Sequence, residues 1–406
     1  MQSVDVAIVG GAMTGMTLAL GLSRCGLRVA VIEQRPMVLE TPPSVPSSRV
    51  CALNHASEQL LTYVGAWQWL PEESRCAYDG MDVWERDSFA SISFSADEYG
   101  YRYLGHIVEN QALETALWER AQQSSQLALF RETEIVDYLA GENELFLTLS
   151  GNRHLSTRLL VGADGANSWL RRKAAIPLTF SDYSQHALVA TIKTAEPHQH
   201  RARQVFSGDG ILAFLPLHDE HHCSIVWSLA PEVARELAEC DSERFNRKLA
   251  IAFDNCLGEC EVVSPRRVFP LTARLAQDFV SQRVALIGDA AHTIHPLAGQ
   301  GANLGFKDVI TLIDEIRKLQ KTGRDIGSSV GLRHFERERK YEAAQMLAAM
   351  RGFQSLFAGT NPLKKLVRDL GLSVTNQLPI VKSLFVEQAT GFSELPDWLM
   401  SDTRER

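Results

Sequence analysis

No stretch of 18 uninterrupted apolar residues occurs anywhere in the 406-residue sequence, so no membrane-spanning helix is predicted. Cysteine is sparse and irregularly spaced. The seven, Cys25, Cys51, Cys76, Cys223, Cys240, Cys256 and Cys260, are odd in number, scattered, and include no C-x-x-C. That argues against a disulfide framework or a zinc site and for a reducing compartment. Surplus positive charge is missing as well. With a net charge of −8, and no stripe of Lys and Arg to track phosphates, no nucleic-acid partner is expected. The first apolar run reads as a strand, so no signal peptide is expected ahead of it.

What remains is an ordinary globular composition, 45% hydrophobic and 22% charged, with length enough for two or three substructures and a sizeable core. The run Val4 to Val9 is short enough for a strand buried on both faces, and glycines break it sharply. Met16, Leu18, Ala19, Leu20 and Leu22 then recur at helical spacing up to Gly26, a left-handed C-cap. Val29 to Ile32 is a second buried strand ending on Glu33. Such a βαβ unit opens a dinucleotide site. Its glycines let the backbone approach a pyrophosphate, the helix start offers unpaired N–H groups, and Glu33 can accept from a ribose hydroxyl. Gly10 to Glu33 spans 33 − 10 = 23 residues, against roughly 20 expected. Read as G-x-G-x-x-G, the turn is Gly10, Ala12 and Gly15, so the middle position carries a methyl group. An ordinary tight βα loop is the alternative, and the strand, helix, second strand and acid in register favour the nucleotide site.

Pro36 to Ser48 reads as a surface loop delivering Arg49, after which Ser57 is a candidate cap for a helix holding Leu60, Leu61 and Val64. Alternation from Met81 through Val83, Ile92 and Phe94 predicts short strands that interrupt the nucleotide fold. A helix from about Glu109 through Leu117 follows, then strands near Leu127 to Phe130 and Leu145 to Leu149, the latter meeting Leu155 to Val161 across Ser150-Gly-Asn152. Val161 runs into Gly162-Ala-Asp164-Gly165, a second buried strand breaking on glycine with an acid at its carboxyl end. From His186 to Phe269 the chain is mostly strand-like, with a helical stretch Glu232 to Phe253, which predicts an antiparallel sheet covered by one or two helices. Val284 to Ile287 leads into the third such site, Gly288-Asp289, and Gly299 to Gly305 lays a glycine-rich entry into a helix through Val309, Leu312 and Ile316. From about Leu332 the chain is amphipathic and helical, broken at Gly352, Asn361-Pro362 and Pro379.

Three strand-ending sites in this order resemble the class A FAD-dependent aromatic monooxygenases of the para-hydroxybenzoate hydroxylase type. Within that family, His292 to Asn303 is similar to the ubiquinone-biosynthesis hydroxylase branch. Gly105 to Asn110, Gly162 to Arg171 and Gly359 to Pro362 look most like its VisC-type 2-polyprenylphenol hydroxylases, and the likeness covers nearly the whole chain. The resemblance implies an α/β fold: a Rossmann-like FAD-binding domain with an inserted antiparallel β-sheet substrate domain and a C-terminal helical segment. Its implied divisions are residues 1–80, 106–180 and 276–355 for the FAD domain, 81–105 and 181–275 for the substrate sheets, and 356–406 for the helical end. It also implies that the first turn holds the ADP half of FAD, that Arg49 and the Asn110-Gln111 region contact its phosphates, and that Asp164-Gly165 lies near the pyrophosphate and the pyridine-nucleotide route. Gly288-Asp289 would then bind the ribityl chain. Only one G-x-G-x-x-G-like turn exists, so NAD(P)H is expected to bind transiently, with no nucleotide domain of its own. Ala12 and Thr14 depart from the family's usual turn and put FAD affinity, not FAD identity, in question.

The implied reaction is hydroxylation of the aromatic ring of a polyprenylphenol, at C5 of a 2-polyprenylphenol, by O₂ through a C4a-hydroperoxyflavin. The protein's share of that chemistry is orientation, electrostatics and exclusion of water. Gly299, Gln300, Gly301, Ala302 and Asn303 can aim successive backbone N–H groups at the flavin N1 and C2 carbonyl. Pro296 is either a wall at the flavin edge or a rigid loop proline, and no acid or base is assigned. His292 and His295 lack a third ligand at metal spacing, so no metal is expected and both are read as bonding within their loop. Asp164 and Asp289 are helix caps, cofactor contacts, or both. The absence of an obvious Arg or Lys clamp suits a prenylated phenol. The competing readings are hydroxylation of a small soluble aromatic acid and a flavin-binding assembly subunit without turnover. Leu363, Leu366, Val367 and Leu370 make one apolar stripe with Lys364, Lys365 and Arg368 beside it. That end either caps the flavin domain or docks on the inner membrane or a biosynthetic complex. A cytoplasmic protein, peripheral at most, is expected, and nothing in the sequence sets its oligomeric state.

Overall fold

The structure is a computed structural model describing residues 1–36, 49–86, 91–294, 301–357, 391 and 395–400. The opening unit is strand β1 (Gln2–Val9), helix α1 (Met13–Arg24) and strand β2 (Val29–Ile32). Gly26 closes α1 in the left-handed region, at φ +79°, where a side chain would be strained. Next come β3 (Val50–Leu53), α2 (His55–Tyr63), β4 (Arg75–Tyr78), β5 (Gly80–Glu85), β6 (Ser91–Ser95), β7 (Gly105–Glu109) and α3 (Asn110–Gln122). Strands β8 (Leu127–Phe130), β9 (Ile135–Ala140), β10 (Leu145–Leu149) and β11 (Arg153–Gly162) lead to the short α4 (Trp169–Lys173). Then follow β12 (Leu178–Thr194), β13 (Arg201–Ser207), β14 (Gly210–Pro216) and β15 (His222–Leu229), with α5 (Pro231–Glu239) and α6 (Ser242–Ala252) behind them. The chain continues through β16 (Cys260–Val262), β17 (Arg267–Ala276), β18 (Val280–Ser281), β19 (Val284–Leu286), β20 (His292–Thr293), α7 (Gly301–Lys321) and α8 (Arg333–Phe357).

These strands form three sheets. In the first, β19, β11, β1, β2 and β8 run parallel in that order, β18 pairs antiparallel at one edge, and the β9–β10 hairpin hangs from β11. Val6, Ala7 and Ile8 of β1 are fully buried, as a central parallel strand requires. The chain leaves β1 toward β2 on one side and returns to it through β11 on the other. That reversal opens a crevice beyond the carboxyl ends of β1 and β11. The second sheet has the order β20-β17-β12-β15-β14-β13-β5-β6, antiparallel except for β13 on β5, with β16 beside β12. The third is β3-β7-β4. A small apolar cluster of Ala52, Ile107, Ala202, Leu215 and Leu217 is shared by the second and third sheets.

Several expectations are corrected. Asn54, not Ser57, caps α2: its side chain accepts from the Ser57 amide at 3.0 Å. Of the one or two helices expected in the stretch 232–253 there are two, divided where Asp241 caps the second by accepting from Arg244 N at 2.8 Å. Helix α8 passes through Gly352 without breaking, since one glycine costs only about 1 kcal/mol in a helix of this length. The apolar stripe at Leu363 to Leu370 lies outside the described residues. Among those described, no helix is long and apolar enough to cross a membrane.

Candidate functional site

At the end of β1 the backbone turns at Gly10 (φ +100°), and a Cβ there would stand 2.4 Å from the carbonyl of Ala163 after β11. A Cβ at Gly15 would stand 2.1 Å from the carbonyl of Gly10. Both glycines are therefore required by backbone closeness at the reversal point. Gly11 is pinned from the other side: Trp118 Nε1 donates to its carbonyl at 2.8 Å, and Glu33 Oε2 accepts from its amide at 2.6 Å. Glu33 Oε1 accepts from Arg35 N at 2.8 Å, and each carboxylate oxygen keeps a lone pair for a further donor. Helix α1 starts on Ala12 with no side-chain cap and no acid in its first turn, which leaves its first N–H groups for an anion. Ala12 itself has an unstrained extended backbone, φ −76°. Thr14 packs on Gly288 and Gly305, each close enough that an added Cβ would lie 3.1–3.3 Å from its side chain. One residue of the first turn thus touches the third strand-end site and the helix after it.

Asp164 is both a cap and something more. Its Oδ2 accepts from Trp169 N (2.7 Å) and Leu170 N (3.2 Å) at the start of α4, while Oδ1 is buried with no partner among the described residues. Asn110 Oδ1 is likewise buried and unpartnered, beside Arg49, whose carbonyl accepts from Asn110 N at 3.1 Å. Gln111 is half-buried next to it. Asp289 is exposed, although crowded by neighbouring protein atoms. Dehydration there pushes its carboxyl pKa up from the ordinary value, with His292, Arg49 and Arg274 pulling it back down.

The turn carrying Asp289 is held by a residue that sequence reasoning missed. Asp308 of α7, fully buried, accepts from Gly288 N at 2.8 Å and His292 Nε2 at 2.7 Å on Oδ2, and from Arg339 Nε at 2.8 Å on Oδ1. A carboxylate only accepts, so His292 carries a proton on Nε2. Arg339, also fully buried, pairs in turn with Glu342, which Lys307 reaches at 2.5 Å. Burial works to raise the Asp308 pKa, but His292 and Arg339 hold it below the usual carboxylate value. The reading of His292 as a bond within its own loop is corrected: its partner is on α7. The signal was present in the sequence, because Asp308 sits four residues after Leu304 and four before Leu312 on the buried face of α7.

Asn303 ties the start of α7 to the third sheet. Its Oδ1 accepts from Asn54 N (3.1 Å) and Ser57 Oγ (2.7 Å), and its Nδ2 donates to the Ala52 carbonyl (2.8 Å). The side chain is thereby committed to protein, leaving the backbone of Gly301 to Asn303 as what this helix start presents. No described residue comes within 4 Å of where a Cβ on Gly301 would be, and Ala302 is half-buried. His295, Pro296, Gly299 and Gln300 lie outside the described residues. Between the second and third sheets is a cavity of about 20 Å³, bordered by Ala52, Met81, Ile107, Ala213 and Leu215 together with Tyr78 and Gln204. Arg203 also borders it, but its Nη1 donates to the His198 carbonyl at 2.7 Å and its Nε lies 3.9 Å from the Asp82 carboxylate.

Residues 3–350 match the family described as FAD binding domain. The chain belongs to that family. It is 34% identical over 393 residues, 96% of this chain and 99% of the relative, to 3-demethoxyubiquinol 3-hydroxylase of Escherichia coli. It is 32% identical over 426 residues, covering 93% of this chain and 88% of the relative, to the mitochondrial ubiquinone biosynthesis monooxygenase COQ6 of Danio rerio. Among solved structures, p-nitrophenol 4-monooxygenase PnpA of Pseudomonas putida superposes with a TM-score of 0.77 at 17% identity over 96% of this chain and 99% of that one. PqsL of Pseudomonas aeruginosa does so at 0.77 and 22%, over 92% and 100%. At such identities these two show the fold alone, which is of the para-hydroxybenzoate hydroxylase type. The protein is an FAD-dependent monooxygenase, and NAD(P)H is the reductant typical of its family. The residues present fit FAD: an uncapped helix start for phosphate, and two buried side-chain oxygens, on Asp164 and Asn110, that lack a protein partner among those described.

Proposed function

We propose that this monooxygenase hydroxylates the ring of a prenylated phenol in ubiquinone biosynthesis, with C5 of a 2-polyprenylphenol as the position. The observation that carries the reading is the apolar cavity between the second and third sheets. Its only bordering cation among the described residues, Arg203, has its guanidinium engaged with the His198 carbonyl and near Asp82. A carboxylate brought there would meet the neutral side chains of Tyr78 and Gln204 but no uncommitted cation among the described residues, and burying a charge without a counter-charge is costly, whereas a neutral phenol with a hydrocarbon tail needs none. The named relatives, a demethoxyubiquinol hydroxylase and a ubiquinone biosynthesis monooxygenase, support the same substrate class.

In this reading the uncapped start of α1 and Arg49 hold the FAD pyrophosphate, and Glu33 accepts from the adenosine ribose. Asp164 Oδ1 and Asn110 Oδ1 complete contacts on the phosphate side of the groove through bridging hydroxyls or water. Asp289 would accept from the ribityl hydroxyls, and the backbone of Gly301 to Asn303 would donate to the flavin ring; the roles read from the sequence for Pro296, Gly299 and Gln300 fall on residues outside those described. When bound, FAD would supply the redox chemistry: two electrons from NAD(P)H and insertion of one oxygen atom of O₂ into the ring, the other atom leaving as water. Peripheral association with a membrane or a biosynthetic complex brings the tail of the substrate within reach. Purified holoenzyme given NADPH, O₂ and either a short-chain 2-prenylphenol or 4-hydroxybenzoate tests the reading. Mass spectrometry should find a product heavier by one oxygen from the prenylphenol alone. Coupled hydroxylation of the acid in its place refutes the substrate assignment.

A further inference from the structure

Strand β13 presents alternate residues to opposite faces of the second sheet. Val205 packs under α5 and α6 with Leu212 and Phe214, whereas Ala202 belongs to the apolar cluster with Ile107 and Leu215. Gln204 shares the face of Ala202. It lies opposite Ala213 on one neighbouring strand and Val83 on the other, is 5% exposed, and borders the cavity. Its amide makes no hydrogen bond to any described residue. The alanine, leucine, isoleucine and methionine around it offer its carboxamide no side-chain partner, and polar side chains in so buried a place nearly always have one. Tyr78 also borders the cavity, with its hydroxyl beside Gly105 of β7 and no hydrogen bond to a described residue, and burial pushes its pKa up to about 12, so it keeps its proton. The cavity holds about 20 Å³, the room of one water or of one oxygen substituent on a ring whose body lies outside. It also adjoins the flavin side, because the carbonyl of Ala52, in its wall, accepts from Asn303 at the start of α7.

We infer that Gln204 and Tyr78 form a subsite for a hydroxyl group on the substrate ring, and that Gln204 selects phenols over the same hydrocarbons without oxygen. This rests on the prenylphenol reading above and adds the residue that recognises the oxygen. A neutral phenol offers one donor and an acceptor; the carboxamide supplies both complements, and the tyrosine supplies a donor. Such a pair fixes the rotation of the ring about its own axis, and with it the carbon that faces the flavin.

The test titrates FAD-loaded full-length protein with 2-geranylphenol and with geranylbenzene, reading the flavin absorbance. Wild type is expected to bind the phenol roughly ten-fold more tightly, the worth of one hydrogen bond. Gln204→Leu removes that preference by weakening the phenol and leaving geranylbenzene unchanged, with FAD content and melting temperature retained. During turnover it releases more hydrogen peroxide per NADPH and spreads hydroxylation over more than one ring carbon, readouts that a purely structural residue would not move. Gln204→Met, equal in length, is the second variant in case leucine disturbs folding. A variant that holds full FAD and keeps the wild-type preference overturns the assignment of Gln204. Equal binding of both probes by wild type overturns the subsite while leaving the prenylphenol reading standing. Binding of neither probe overturns that reading and the subsite with it, and loss of FAD from both variants makes Gln204 a folding residue and ends the proposal.

Discussion

Asp308 serves three donors with one carboxylate, and an amide of the same shape has a single acceptor oxygen. Asp308→Asn must leave at least one of Gly288 N, His292 Nε2 and Arg339 Nε facing an NH₂ group, and it removes a charge from a fully buried arginine. Breaking a buried pair of this kind costs about 3 to 5 kcal/mol, so urea unfolding of the apoprotein should register a loss of that order. The sign of the pH effect follows from the direction of the shift. The pKa of Asp308 is lowered in the folded state, so its stabilisation is present above the unfolded value near 3.9 and is lost as pH falls through the folded one. Wild type should therefore lose stability below about pH 4 in a component absent from Asp308→Asn; parallel acid profiles would contradict this. Asp289→Ala should keep the fold and lose flavin by roughly ten- to a hundredfold in affinity, since a hydrogen bond to a charged group is worth about 1.5 to 3 kcal/mol. Unchanged FAD occupancy would leave Asp289 without a cofactor role. Ala12→Gly should tighten FAD, both by removing a methyl from the pyrophosphate approach and because glycine is the better helix N-cap; equal or weaker binding by titration would reject the clash. At this scale the sequence made Gly10, Glu33, Asp164 and Asp289 legible, because each punctuates an apolar run. The spacing of Asp308 between Leu304 and Leu312 marked it as a buried charge but not its three partners, which come from elsewhere in the chain, and Gln204 lies inside a buried strand where local pattern gives no reason for it. Asn54 was hidden by a serine three residues on that looked like the cap.

The strands of the first sheet could be read as apolar runs ending on glycine and acid, and the helices as stripes, because both lie against one uniform core. Strand β13 could not: Arg201, Arg203 and Gln204 break any apolar alternation, and each is explained by a tertiary partner or the cavity, Arg201 by its two bonds to Asp82 at 2.7 and 2.8 Å. The division into FAD and substrate segments inferred from sequence remains a proposal resting on where these strands join their sheets. Helix α7 offers a discriminating substitution. Gly301→Ala adds a methyl at the first residue of α7, where no described residue comes within 4 Å of it, so the apoprotein should keep its stability or gain slightly by losing the backbone freedom of glycine in the unfolded chain. If the helix start faces the flavin, the same methyl should weaken FAD binding. Apoprotein melting at or above that of wild type together with unchanged FAD affinity would mean that the flavin does not lie against Gly301.

At the scale of the molecule, the groove is made from strand ends at Val9, Gly162 and Leu286, brought together by β1 at the centre of the first sheet. FAD bound across them should stabilise the protein as a whole, by about 2.7 kcal/mol at a hundred times its dissociation constant. Calorimetry should show one transition moving upward with FAD in wild type and moving by half as much or less in Asp289→Ala at the same FAD concentration. The placement of β1 also bears on how the chain is made. Its neighbour β2 follows within a few tens of residues, but its other edge is covered only by β11, which begins at Arg153. At about 5 to 20 residues per second on the ribosome, roughly seven to thirty seconds pass in which an apolar strand exists with half its hydrogen-bonding groups unclaimed. Nascent chains halted in that interval should engage chaperones and bind no flavin even though the whole glycine turn has been translated, because the nucleotide fingerprint becomes a binding site only after the far end of the message has been read.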